Sequence, residues 1–119
     1  MRSSPATDRG GSVTMEAAML LPTLMLVLAV ALGAVAAAEA RLSCADAARI
    51  GARALARGET SDRARALALS AAPDGARVEL TEGDGTARVT VRAELRIGPL
   101  RAPPLGVRAE AAVPLEEPP

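Results

Sequence analysis

The sequence has no Phe, Trp or Tyr, no His, no Lys, and neither Asn nor Gln. Each absence excludes something. Without aromatics, each core side chain buries little area, so a large enzyme-like core is not expected in 119 residues. No ring is present to stack on a base. With 14 basic and 14 acidic residues there is no net charge and no basic stripe, so a nucleic-acid partner is not expected. One cysteine forms no disulfide within the chain. One cysteine and no histidine leave no donor set for the usual zinc or non-haem iron sites, so neither metal nor other cofactor is expected. The familiar nucleophile–base pairs are missing too, and catalysis is not expected. Every cation is Arg, which reads as the codon bias of a GC-rich genome, without functional weight.

What is present is a long apolar run. Residues 17 to 38, "AAMLLPTLMLVLAVALGAVAAA", carry no charge. As a helix they would extend about 33 Å, enough to cross a hydrocarbon core of about 30 Å. A helix of a water-soluble domain would show a polar face in this window, and none is there. A membrane-spanning helix over 12–40 is the reading, with the lipid bilayer as its surroundings.

After Glu39 the helical pattern continues and becomes amphipathic. Asp46, Arg49, Arg53 and Arg57 follow one another at spacings of three and four, while Cys44, Ala48, Gly51 and Leu55 fall on the opposite side. Gly58 is the expected stop. One helix from about Ser12 to Arg57 would be about 65–70 Å long. Thr60 is a candidate cap for a short second helix with Asp62 in its first turn. These segments make up a helical region over 41–72, beyond the apolar run.

Beyond the "PDG" turn at 73–75 the period changes to two. Val78 and Leu80 alternate with Arg77 and Glu79. Val89, Val91, Ala93 and Leu95 alternate with Arg88, Thr90, Arg92 and Glu94. "EGDG" at 82–85 is a hairpin signal between them. A third run places Val107, Ala109, Ala111 and Val113 on one face, after the proline-rich linker "IGPLRAPPLG". Residues 73–114 therefore read as a small three-stranded antiparallel β region, and 115–119 as a frayed tail. The fold class is α+β, with the sheet packed on the amphipathic half of the long helix, whose Ala and Gly allow close approach.

The start of the chain, "MRSSPATDRGGSVTMEAAMLLP", places a carboxylate, Glu16, at the edge of the apolar run. A charge costs about 2.5–3.5 kcal/mol at the centre of a membrane helix and less at its edge, so Glu16 by itself only marks a boundary. Its spacing adds more. If the bond after Gly11 is cut, Ser12 becomes the first residue and Glu16 the fifth. This resembles the prepilin processing motif of type IV pilins, in which a short basic leader ends in Gly and an acid stands at the fifth mature position. Glu16, the six residues to Pro22, the Leu/Val/Ala run with Gly33, the closing Glu39 and the "RLSCADAARIGARALARGE" helix are similar to the TadE-like pseudopilins. These are minor pilins of the tight-adherence, Flp-type system in GC-rich bacteria. The likeness is specific over residues 9 to 57 and weak beyond. Ser12 and Ala17 stand where type IV pilins usually have Phe and an aromatic. Counting back from Glu16 favours the bond after Gly11 over the bond after Gly10.

The resemblance implies a structural or priming subunit with a leader over 1–11 that faces the cytoplasm and a C-terminal region outside. The implied partners are a prepilin peptidase, pilus assembly platform proteins and other pilin subunits. It also implies that the amine freed on Ser12 is neutralised by Glu16 of a neighbouring subunit, which sets axial register. Pro22 would kink the helix or loosen its first turns. Ala29, Gly33 and Ala37 form a row of small residues suited to close helix packing, or simply reflect the abundance of alanine. Cys44 is a buried structural thiol or, in an oxidising compartment, a candidate for an intersubunit disulfide. Two other readings stay open: a secretory signal cut near residue 40, at "AAAEA", although its apolar run exceeds the typical 7–15 residues; and an uncleaved single-pass envelope protein with a small binding domain.

Overall fold

The computed structural model describes residues 6–96 and 103–115, with side chains from Ser12 onward. The chain is α+β: a long helix α1 (Ala6–Ala56), a short helix α2 (Ser61–Ala71), and strands β1 (Arg77–Gly83), β2 (Thr86–Leu95) and β3 (Leu105–Pro114). It divides into two compact units, one ending at Ala34 and the other beginning at Val35. Of the frayed tail expected over 115–119, Leu115 is held, its N–H donating to the Gly85 carbonyl at 2.7 Å, and 116–119 fall outside the described residues.

Helix α1 is one uninterrupted element through Pro22. Its start lies ahead of the expected one near Ser12: the backbone is already helical at Ala6, six residues earlier. Two glycines cost a helix about 1 kcal/mol each, but extending an existing helix by a turn needs no new nucleus. The strongly helical Ala/Leu/Met stretch that follows therefore carries the helix backwards through Gly10 and Gly11.

Its other end is where the sequence places it. Gly58 has φ +84°. Its N–H donates to the carbonyl of Leu55 at 3.0 Å, and the N–H of Glu59 donates to that of Ala54 at 3.1 Å. This pair of bonds around a left-handed glycine is the Schellman closure, which satisfies carbonyls a helix end would otherwise leave open. Thr60 then caps α2: its hydroxyl oxygen accepts from the Arg63 N–H at 3.3 Å, with Asp62 in the first turn. At the far end of α2 the Ala76 N–H donates to the Pro73 carbonyl at 3.1 Å, closing the predicted turn.

The sheet is antiparallel in the order β1-β2-β3. Asp84 (φ +53°) and Gly85 (φ +71°) form the two-residue turn of the first hairpin, so Gly83 pairs with Thr86 and Arg77 with Arg92. β3 extends the sheet with Val107 opposite Ala93 and Leu105 opposite Leu95. The strand therefore takes in the last two residues of the expected linker, of which 97–102 lie outside the described residues. On β2, Ala87, Val89, Val91 and Ala93 are buried while Arg88, Arg92 and Glu94 are exposed, the alternation of a sheet covered on one side, broken at Thr90, which is buried although it belongs to the outer face.

The core lies in the second unit. It joins Ala40, Cys44, Ala47, Ala48, Ala52, Ala54 and Leu55 of α1 to Ala64 of α2 and to the inner residues of the sheet. Its largest fully buried side chains are Val89, Val91 and Cys44. Small side chains bury little area each, so this core depends on close backbone approach. Gly51 is one such point, with the side chains of Val89 and of Ala68 on α2 close by. The buried face of α1 is broader than the predicted Cys44–Ala48–Gly51–Leu55 stripe because two elements, α2 and the sheet, cover it.

A bare apolar helix as the candidate assembly surface

The described part of the first unit, residues 6–34, is helix. From Val13 to Leu32 its large apolar side chains point outward, from 72% exposed at Met19 to 52% at Leu28. Apolar side chains on all sides of a helix belong in a core or in lipid. The helix is long and apolar enough to cross a membrane, and the most apolar window within Ser12–Ala56 is only 6% buried. This is consistent with a single membrane span.

The expected site residues distribute along α1 as follows. Gly11 and Ser12 lie in helical backbone, and the Ser12 side chain is exposed. Glu16 is also exposed. Four residues apart, Ser12 and Glu16 share one face of the helix, about 6 Å apart along its axis. Residue 22, a proline, cannot donate to the carbonyl four residues earlier, that of Ala18. One residue on, the Thr23 hydroxyl donates to the Met19 carbonyl at 3.3 Å, adding a local bond beside the gap. Ala29 is exposed, Gly33 buried and Ala37 half-buried. The row thus leaves a shallow strip down the helix, with nothing larger than a methyl group at any of the three positions.

Cys44 is fully buried among the small residues of the second unit, and burial raises its thiol above the usual range. In this arrangement it is a core group, and a bond to another subunit requires the unit to open first. The charge row behaves as a solvated face: Asp46, Arg49, Arg53 and Arg57 are exposed, with Arg49 Nη1 3.8 Å from Asp46 Oδ1 and Arg57 Nη2 2.9 Å from Glu59 Oε1. Such exposed pairs contribute at most about 1 kcal/mol each.

One feature was not read from the sequence. The register sets Arg77, Arg92 and Arg108 side by side across all three strands on the outer face. Alternation alone shows that each points outward. The Asp84-Gly85 turn fixes the first pairing, but the long linker leaves the register of β3 undetermined, and with it the third arginine.

Comparison with protein-family models, with curated proteins and with solved structures finds no match.

Proposed function

We propose that this chain is a TadE-like minor pilin, a structural or priming subunit of a tight-adherence-type pilus or related secretion apparatus. The observation that carries the reading is Glu16. It is exposed at the start of an uncharged helical run whose large apolar side chains lie bare, and it sits four residues from Ser12. Those side chains need cover: lipid before assembly, and the helices of neighbouring subunits in a filament. The strip at Ala29, Gly33 and Ala37 lets one such helix approach closely.

A prepilin peptidase supplied by another chain would remove residues 1–11 on the cytoplasmic side and leave a positive amine on Ser12. Glu16 of a neighbour would then meet that amine in a low dielectric, where a paired charge is strongly favoured over two unpaired ones. The pair would hold axial register as subunits move from membrane to filament. Before cleavage the partner amine does not exist, so assembly waits for processing. The helical backbone at Gly10 and Gly11 adds a step: the peptidase must unwind this turn to reach the bond, and two adjacent glycines make that inexpensive.

Co-expression with a prepilin peptidase tests the reading. The chain should shorten when the active enzyme is present and stay intact with an inactive one, and Gly11→Leu should block the change. A chain that ignores the peptidase would support the uncleaved envelope protein instead.

A further inference from the structure

The outer face of the sheet carries a feature that pilus assembly through α1 does not use. Arg77, Arg92 and Arg108 stand in one row on β1, β2 and β3. Like charges directly opposite one another weaken a strand pair, and here the opposition occurs twice. Local carboxylates offset it only in part. Arg92 Nη2 lies 3.9 Å from Glu79 Oε2, with both side chains more than half exposed. Arg108 Nη2 is 3.2 Å from Glu110 Oε2, but Glu110 also serves Arg88, whose Nε is 3.0 Å from Oε1. Arg77 has no ion pair among the described residues.

The row forms one wall of a broad depression of about 800 Å³, to which Arg96, Asp74 and Glu94 also contribute. Gly106 stands opposite Glu94 and leaves that part of the surface without a side chain. Four arginines against two carboxylates make the lining net positive. The volume is within the range of small-molecule sites, roughly 300–1,000 Å³.

We propose that this depression binds a small ligand carrying linked phosphate groups, of the diphosphate class. A guanidinium offers paired donors that match phosphate oxygens. Adjacent strands lie about 4.7–4.9 Å apart, so the outer arginines of the row stand about 9–10 Å from each other at the backbone. An isolated phosphate bridges one gap between neighbouring arginines. Two linked phosphates bridge both gaps and relieve both repulsions, which selects diphosphate over monophosphate.

Isothermal titration of the full chain in neutral detergent with pyrophosphate tests this. The expected result is saturable binding at one site, at least tenfold tighter than orthophosphate at equal ionic strength. Arg92→Gln should weaken it at least tenfold, while Arg65→Gln, which alters an exposed arginine on α2, should leave it within twofold. If Arg92→Gln fails to fold by far-UV circular dichroism, Arg77→Gln on the edge strand carries the same expectation. No saturable binding, equal affinity for the two anions, or an equal loss with Arg65→Gln would overturn the proposal.

Discussion

Gly51 of α1 lies so close to Val89 of β2 that a methyl group at Gly51 would stand 3.1 Å from Val89 Cγ1, and 3.2 Å from the Ala68 methyl on α2. Gly51→Ala gains about 1 kcal/mol of helix propensity and spends it against two tight contacts, so little net change is expected. Gly51→Leu has no such offset, and overpacking should destabilise the second unit by about 1–3 kcal/mol. Cys44, the single thiol and fully buried, reports this directly. Where closing outpaces labelling, a thiol reagent should modify Cys44 about 5- to 150-fold faster in Gly51→Leu than in the parent, at about tenfold per 1.4 kcal/mol.

The same thiol gives the fold a pH dependence. Burial raises the Cys44 pKa in the folded state. Between the ordinary thiol pKa, about 8.5, and the raised value, the unfolded chain has lost the proton that the folded chain keeps. The contribution is therefore complete below about pH 8.5 and declines as pH rises above it. Urea midpoints followed by circular dichroism should fall above that pH, and Cys44→Ala should fall less.

Helix α1 and the first hairpin were legible because local chemistry specifies them: an uncharged run, an amphipathic continuation, a glycine stop, and an Asp-Gly turn that allows one register. The start of α1 lies six residues before the expected one near Ser12, because the strong helix beyond Gly10 and Gly11 extends back through them. The breadth of the buried face and the arginine row depend on how separate elements meet. No single segment encodes either. Gly51 was legible as a small residue on the apolar side, but its contact with Ala68 required the placement of α2.

The junction between the helices should be sensitive at two points. Gly58 adopts φ +84°, which costs a residue with a Cβ about 1–2 kcal/mol, so Gly58→Ala should destabilise by about that amount. Thr60→Ala removes the acceptor for the Arg63 N–H and should cost about 1 kcal/mol. Chemical denaturation of the full chain in detergent measures both. If the two losses add, the closure and the cap act independently.

Glu16 separates a boundary marker from an assembly residue. Glu16→Ala removes a charge at an exposed helical position, so the amount of chain in the membrane fraction should change little. Its incorporation into sheared surface filaments should drop at least tenfold. Quantitative immunoblots of the two fractions measure this. Equal incorporation would reduce Glu16 to a marker of the membrane edge.

The central claim is that proteolysis creates the cation that Glu16 awaits. Amino-terminal sequencing of the chain purified from cell envelopes tests it most directly. The account predicts a mature protein that begins at Ser12, with Glu16 fifth. A working protein that still carries the residues before Ser12, or one that begins near residue 41, would contradict it.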